Sequence, residues 1–470
     1  MKKCSYNIIK FLKTGRKPMK QNDMLSGNPI KSIIMFALPI MISSMLQYNY
    51  SFIDNIIVGR YVGTDALAAV GNVGSIGGFI VGASLGLTSG FTIPVAHAFG
   101  AGDKKRVSAY AGNSIAVAFL IGIIIVIVAH IISRPLLRAI GTPSEIIDLS
   151  ARYINILYFG IPLQMLSNNF TAISRAVGES RKPLIFYIVS VIVNFILDIV
   201  FVKHLGWGVE GAAVATLFSY FVAALLTGIY IIFINNDVEI KKEDLRLNIK
   251  IAWEQIKLGI PVSLQFTITS IGSMTMQSAI NSFGPTKMAG ITAGMRVESI
   301  TNIPMSGLGV ATQTFVGQNY GAKNYDRIIK SVNKIFLLDL GVSVAMSLTL
   351  MAIAEPMVSL FMTEVNAEIL SAAKQYLTAI AQCYSLVAVL FVLRNTLQGL
   401  GFTYSNTIAG AGELIGRIVI SILVLRLGFG FEAVCYAPPA AWLLADIPLA
   451  IIYLSKRKKF KQLADQSKCA

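Results

Sequence analysis

The segment Gly86–Arg106, GLTSGFTIPVAHAFGAGDKKR, returns in altered form as Gly307–Arg327, GLGVATQTFVGQNYGAKNYDR. The repeat extends well beyond this segment, and no gap is needed over its central part. Duplicated membrane units that bind a substrate between them are typical of secondary transporters, so the repeat indicates both a fold and a function. At one constant spacing, Gly63, Ala68, Gly86, Val95, Gly100, Ala101 and Arg106 recur as Gly284, Ala289, Gly307, Val316, Gly321, Ala322 and Arg327.

The outer parts of the repeat follow the same order. Pro39 matches Pro261 upstream. Downstream the spacing slips slightly, and four positions, Gly178, Gly206, Gly208 and Glu210, match Gly401, Gly428, Gly430 and Glu432. The chain is therefore two copies of one unit.

The composition is that of a membrane protein. Charged residues make up 14% and apolar residues 54% of the chain, and the mean hydropathy is +0.66. A soluble domain carries about 25% charged residues. Twelve apolar stretches are each long enough to cross a hydrocarbon layer of about 30 Å. They lie near 33–58, 67–93, 108–132, 153–176, 183–203, 209–234, 255–283, 288–316, 333–354, 370–398, 405–427 and 431–455.

All twelve stretches are predicted to be helical, because open strands would leave unpaired backbone groups in lipid and barrels alternate in polarity. An even number of helices per copy makes both copies enter the bilayer from the same side, as parallel repeats with a twofold axis along the membrane normal. The expected fold is thus all-α and integral to the membrane, with two six-helix bundles. The predicted parts are a basic tail over 1–30, an N-lobe over 31–234, a connector over 235–257, a C-lobe over 258–455 and a second basic tail over 456–470.

Lysine and arginine predict the orientation. Most of the 40 basic residues fall in the tails, in the connector and in alternate loops if the N-terminus is cytoplasmic. Both termini are therefore expected in the cytoplasm and the chain in the cell membrane. The net charge of +16 is interpreted as this topology and as attraction to anionic lipid, not as nucleic-acid binding. The four cysteines show no paired spacing, so we expect no disulfide framework or metal motif.

Ionisable residues inside apolar stretches are costly and are candidates for function. Asp54 lies in the first stretch, with Gln47 and Tyr50 on the same face. Asn194 and Asp198 lie one turn apart in the fifth stretch. Thr216 lies early in the sixth stretch. The side-chain oxygens of these residues are expected at similar depth in the outer half of the membrane. Such a cluster suits a small cation or a proton.

The second copy is an internal control for this site. At the matching positions it has Met276 for Asp54, Gly416 for Asn194, Ile420 for Asp198 and Pro438 for Thr216. A polar set that only joined helices would be expected in both copies. Its presence in one copy favours an ion site over interhelical hydrogen bonding.

Other charges in the second copy are interpreted differently. Glu413 and Arg417 are expected to form a structural pair, as are Arg296 and Glu298. Three further charged residues, Asp339, Arg394 and Asp446, are placed nearer to the ends of their stretches, where long side chains reach water.

The chain resembles the multidrug and toxic compound extrusion (MATE) transporters over essentially its full length. The resemblance lies in the duplicated plan, in the loop AFGAGDKKRV with its echo NYGAKNYDRI, in RAVGESRKP, and in NFILDIVFVKHLGWGVEGAAVAT. It implies two lobes around a central cavity and export of organic, often cationic or amphipathic compounds in exchange for Na⁺ or H⁺. It also implies an N-lobe ion site, as in the DinF-like branch, and adds Asn168 to Asp54, Asn194, Asp198 and Thr216.

Candidate substrate contacts are Gln47, Tyr50, Gln265 and Met276, which lie on the first and seventh stretches. No cofactor other than the coupling ion and no obligate protein partner are expected. The alternative within transport is a flippase or exporter of lipid-linked saccharides, which would be expected to need more cavity arginines or lysines. An intramembrane enzyme is a third class, but the nucleophile and base motifs that it requires are missing from the sequence.

Overall fold

The computed structural model describes residues 24–359 and 366–469, and the secondary structure in these ranges is entirely helical. Most of the predicted N-terminal tail lies outside the described residues. We number the helical segments of the described chain α1 to α12, and several of them consist of two pieces separated by a break.

The N-lobe contains the first six segments. They are α1, Pro29–Tyr61; α2, Thr64–Phe91 and Ile93–Gly100; α3, Lys104–Ala139; α4, Ile147–Phe159 and Ile161–Ala176; α5, Arg181–Asp198 with the π-helical turn Ile199–His204; and α6, Gly208–Ile229 with the π-helical turn Tyr230–Ile234.

The C-lobe repeats the same plan. Its segments are α7, Ile249–Asn281; α8, Gly284–Thr301 and Ile303–Gly321; α9, Tyr325–Ser359; α10, Ala367–Gln382 and Tyr384–Gly399; α11, Tyr404–Leu427; and α12, Phe431–Cys435 and Ala437–Cys469. The expected all-α fold with two six-helix bundles is confirmed.

Length and composition alone identify fewer spans than these twelve segments. Among the described residues, eight helices are long and apolar enough to cross a membrane, and the two pieces of α10, bent by 54°, would make a ninth. The remaining segments, α4, α7 and α8, are shorter in their pieces or richer in polar side chains. They are nevertheless helical where the duplicated sequence predicts a helix in each lobe.

Local sequence explains where the segments begin and break. Asn28 caps α1 and Asn248 caps α7, each accepting hydrogen bonds from the first turn through its side chain. The breaks in α2, α4 and α8 each precede a proline at the start of the second piece, where a missing N–H costs least. Gly63, just before α2, and Gly284, the first residue of α8, have positive φ angles of 122° and 84°.

Two predicted boundaries differ from the structure. The connector is shorter than predicted, because α7 begins at Ile249 within the range 235–257. The C-terminal tail is not a separate segment, since α12 continues to Cys469. Both differences have one cause: amphipathic helix extends beyond the apolar window by which a span is recognised.

The connector is held against the N-lobe. The buried side chain of Asn113 on α3 accepts a hydrogen bond from Asn248 N (2.8 Å) and donates one to Gln255 Oε1 (2.9 Å). Gln255 in turn donates to the backbone oxygens of Phe91 (3.0 Å) and Tyr110 (2.8 Å). The start of the C-lobe is therefore attached to two helices of the N-lobe.

The lobes meet mainly at one end of the molecule, which we call the basic end and define by residues 24–28, 97–106 and 318–327. Between this end and the middle of the molecule, the second half of α2 packs against α7, and α1 packs against α8. In the first half of α2 the surroundings change, because a Cβ atom on Gly71, Gly74, Gly77 or Gly78 would meet nothing within 4 Å. The helix thus faces open space away from the basic end.

Candidate ion site in the N-lobe

Asp54, Asp198 and Thr216 come together where α1 packs against α5 and α6. The Asp54 side chain interacts with the side chains of Asp198 and Thr216. Asp198 is fully buried, and Asp54 and Thr216 are 5% and 4% exposed. The Thr216 Oγ1 atom makes no hydrogen bond of ordinary length and angle, so it is a polar neighbour and not a fixed partner. Two carboxyl groups thus share one closed pocket.

Asn194 lies one turn before Asp198 on α5 and is 2% exposed. Directly after Asp198 the helix widens into the π-helical turn Ile199–His204. Such wide turns occur frequently at functional sites, because they re-aim side chains that a regular helix would hold in place. The fifth helix therefore changes its geometry next to the acid pair.

Three tyrosines, on α4, α5 and α6, interact with the acids. Tyr153 on α4 interacts electrostatically with both carboxyl groups, and Tyr187 and Tyr220 interact with Asp54. The sequence analysis did not single them out. Tyrosines at such spacings are indistinguishable from ordinary core residues until the helices are packed, and no local sequence signal identifies them.

Asn168 is the candidate that rests on the resemblance alone. It lies on α4, and its Nδ2 atom is buried without a hydrogen bond, but no contact that the structure describes joins it to Asp54 or Asp198. Its neighbour Asn169 instead donates to Ser114 Oγ on α3 (3.0 Å). The ion-binding role of Asn168 stays a prediction from the resemblance.

The four candidate substrate contacts differ in accessibility. Gln47 is exposed, whereas the side chain of Tyr50 lies outside the described residues. Gln265 is 5% exposed and donates to Thr269 Oγ1 (3.3 Å). Met276 is 2% exposed and belongs to the C-lobe core, so in this conformation it does not face a cavity.

The C-lobe contains a buried ionic cluster of a different kind. Glu413 forms ion pairs with Arg394 (3.5 Å) and Arg417 (3.3 Å), all three side chains being mostly buried. The predicted pairing of Glu413 with Arg417 is therefore confirmed. Arg394 lies near the end of α10, as predicted. The expectation that Arg394 and Asp446 reach water is wrong, because Asp446 is 6% exposed and interacts with Arg394 and Glu413.

Two other predictions for the C-lobe charges are also wrong. Asp339 is fully buried near the middle of α9, not near its end. Glu298 does not pair with Arg296 and instead accepts hydrogen bonds from Tyr376 Oη and from Asn302 Nδ2 (3.4 Å). Residues two positions apart in a helix point in different directions, so the proximity of Arg296 and Glu298 in sequence was misleading.

The N-lobe site and the C-lobe cluster have different chemical capacities. In the C-lobe cluster, two guanidinium groups already neutralise Glu413, so its carboxylate has its counter-charges in place. The N-lobe site instead brings two acids together beside the hydroxyl group of Thr216. Hard oxygen ligands of this type can exchange a proton or a small cation without a change in covalent structure.

Several known proteins are similar to this chain. The multidrug resistance protein YpnP of Bacillus subtilis, described as probable, is 28% identical over 82% of this chain and 85% of its own length. The FAD transporter of Shewanella oneidensis is 24% identical over 93% and 97%. The multidrug export protein MepA of Staphylococcus aureus is 22% identical over 90% and 93%.

Solved structures share the fold. A multidrug resistance MATE transporter of the MOP superfamily in an outward-facing conformation has a TM-score of 0.86 at 24% identity, covering 96% of this chain and 100% of that one. A MOP-superfamily transporter from Pyrococcus furiosus gives the same values. The family model MatE matches residues 39–200 and 261–423, one match in each lobe. Because these matches cover more than half of the sequence, the chain belongs to the MATE family of transporters.

Proposed function

We propose that the protein is a secondary active antiporter that exports organic cationic or amphipathic compounds in exchange for Na⁺ or H⁺. The observation that carries the proposal is the contact between Asp54 and Asp198 inside the N-lobe. The names of the relatives support the class of cargo, since YpnP and MepA are called multidrug resistance and export proteins. A DinF-like coupling through the N-lobe is part of the proposal.

The coupling works through charge. Two adjacent carboxylates in a buried pocket repel each other, so a bound proton or Na⁺ stabilises the arrangement in which α1 packs tightly on α5 and α6. Release of that ion favours an arrangement with more water. If cargo and ion prefer opposite arrangements, each displaces the other, which is the differential affinity that antiport requires.

The orientation is a further part of the proposal. We place the basic end in the cytoplasm, together with both termini, because lysines and arginines are concentrated in cytoplasmic segments of membrane proteins. The open space beside the first half of α2 then faces outward. Asp54, in the second half of α1, and Asp198, on α5, then lie in the outer part of the membrane.

The test uses the purified full-length chain in lipid vesicles with a fluorescent cationic dye such as ethidium. A Na⁺ gradient at equal pH and a pH gradient without Na⁺ are imposed separately. The wild type is expected to transport dye with at least one of the two gradients. Asp198→Asn is expected to abolish transport driven by that gradient. Asp339→Asn is the matched control, because Asp339 is equally buried but lies in the C-lobe.

The controls separate the possible outcomes. Loss of movement in Asp198→Asn with movement retained in Asp339→Asn supports coupling through the N-lobe. Equal loss in both variants would reduce the effect to a general requirement for buried carboxyl groups. Vigorous gradient-driven movement by a correctly inserted Asp198→Asn protein would rule out the proposed role of the acid pair.

A further inference from the structure

Several hydrogen bonds join the two halves of the chain at the basic end, including those from Asn319 and Arg327 to the backbone oxygens of residues 24–27, and two others connect helix ends of opposite lobes. His97 on α2 contacts the backbone oxygen of Gly399 through Nε2 (2.8 Å), so the N-lobe reaches the end of α10. Gln318 on α8 donates from Nε2 to the backbone oxygen of Ala176 (2.8 Å), so the C-lobe reaches the end of α4. Because a carbonyl oxygen only accepts, His97 Nε2 must carry the proton of its bond.

The two bonds are related by the internal repeat. His97 stands three residues before Gly100, and Gln318 stands three residues before Gly321. The accepting residues, Ala176 and Gly399, each stand two positions before a matched glycine of the repeat, Gly178 or Gly401. Donors and acceptors thus exchange lobes under the same pseudo-twofold symmetry that relates the lobes.

Glycines make both contacts possible. Gly178 and Gly401 have φ angles of 88° and 85°, in the region that favours glycine. A Cβ atom on Gly178 would lie 3.6 Å from Gln318 Nε2, and one on Gly401 would lie 3.6 Å from His97 Cε1. Each donor side chain therefore rests against the turn whose carbonyl it binds.

The helices that carry the donors also cross in close contact. A Cβ atom on Gly100 would overlap the backbone oxygen of Gln318, and a Cβ atom on Gly321 would overlap the backbone oxygen of His97. Both glycines are repeat partners, so this contact is symmetric as well. The approach of α2 and α8 depends on these two positions.

A polar layer lies behind the two bonds. Ser89 Oγ accepts from Gln398 Nε2 (2.9 Å) and from Gln313 Nε2 (3.2 Å), which again connects α2 with α10 and α8. Gln398 also accepts from Asn406 Nδ2 (2.8 Å). This layer would be reached by water from the basic end only after α2 and α8 separate.

We propose that His97 and Gln318 are the paired positioning residues of a latch that closes the basic end, and that breaking both bonds opens the transport path there. The inference rests on the proposed transport function for its meaning, but not for its test. Each lobe contributes one donor and one acceptor, so neither lobe can rotate away without breaking both bonds. The latch is symmetric in geometry and unequal in chemistry, since only one donor is an imidazole.

The experiment measures accessibility and needs no cargo. In a chain whose four cysteines are replaced by serine, Ser89→Cys reports on the polar layer through its rate of modification by a membrane-impermeant thiol reagent applied from the basic end. His97→Ala and Gln318→Ala are each added to this background. A net hydrogen bond is worth about 1 kcal/mol, so each variant is expected to raise the modification rate about fivefold.

The matched control is His97→Gln, which gives both halves of the latch the same donor type. It is expected to keep the modification rate near that of the background chain. His97→Ala and Gln318→Ala should give increases of similar size, because the two bonds are symmetry partners. The combined variant should exceed either of them.

Two outcomes would overturn the latch. One is a rate unchanged from the background in both alanine variants, provided that gel filtration and thermal melting show folded protein. The other is an increase in His97→Gln as large as in His97→Ala, which would mean that an amide donor at this position does not close the end. A failure of dye transport with these rates as expected would count against the transport proposal alone.

Discussion

The interface between α5 and α6 in the N-lobe and the equivalent interface between α11 and α12 in the C-lobe carry different residues at matching positions. In the C-lobe, Gly412 and Gly416 let α12 approach so closely that a Cβ atom on Gly416 would overlap the backbone at Ala441. In the N-lobe the matching positions are Ser190 and Asn194, and both are buried. At these positions one copy packs backbone closely against the next helix, and the other carries buried polar side chains.

The difference teaches how a duplicated fold divides its tasks. Close helix packing through small residues stabilises a bundle in the membrane. Burying polar side chains at the same place is less favourable for folding unless a bound ligand interacts with them. We therefore expect the C-lobe charges to govern stability and the N-lobe acids to govern coupling.

The largest effect is expected at Glu413. Glu413→Gln leaves Arg394 and Arg417 without their shared counter-charge in a buried site, which should lower the free energy of unfolding by about 3–5 kcal/mol. Unfolding in mixed micelles measures this. Asp198→Asn is the counterpart in the other lobe and should leave stability nearly unchanged. Comparable destabilisation by both variants would contradict the assignment of stability to the C-lobe charges and of coupling to the N-lobe acids.

A smaller effect is expected at Tyr376, whose hydroxyl donates to Glu298. Tyr376→Phe should cost about 1.5–3 kcal/mol of unfolding free energy, since hydrogen bonds to charged groups exceed neutral ones. Tyr384 is the control, because it is also buried but its hydroxyl bonds to Thr301 Oγ1 (2.7 Å). Tyr384→Phe should cost about 1 kcal/mol. A reversed order would show that Glu298 is neutral or loosely held.

In the N-lobe, Thr216→Ala should weaken the apparent affinity for the coupling ion about fivefold, as expected for loss of one oxygen worth about 1 kcal/mol. Thr216→Ser keeps the hydroxyl and is expected to behave like the wild type. The ion dependence of dye transport gives both values. Identical affinities in the two variants would remove Thr216 from the site.

The smallest effect is expected on the open part of α2. Gly74→Ala adds a methyl group where nothing lies within 4 Å and should stabilise the helix by about 0.5–1 kcal/mol. Gly86→Ala is the contrast, because its Cβ atom would overlap the backbone of Ser263. Melting temperatures compare the two variants. Destabilisation by Gly74→Ala would indicate that the lobes also touch in the first half of α2.

The sequence predicts much of this architecture and less of its detail. Twelve helices, their duplication and the convergence on Asp54 follow from hydropathy and from the repeat, because both depend on order along the chain. The burial of Asp339 and Asp446 does not follow. Hydropathy gives the approximate depth of a residue along its helix but not the face on which it lies, so it does not show that packed helices surround these two acids.

The hydrogen-bond partner of Glu298 does not follow from the sequence either. Tyr376 lies far away in sequence on another helix, and nothing in its neighbourhood distinguishes it from a packing residue. The latch at the basic end is an intermediate case. The repeat of Gly100 and Gly321 was visible in the sequence, but the exchange of hydrogen bonds between the lobes needed the three-dimensional arrangement.

The attachment of the connector to α3 bears on how the halves recognise each other. Asn113 and Gln255 attach the beginning of α7 to the N-lobe independently of the covalent link. Lys241 and Lys242, in the link itself, are both exposed. A nick between these lysines would leave the docking contacts in place. Two polypeptides divided there and synthesised together in one cell should accordingly assemble side by side and co-purify.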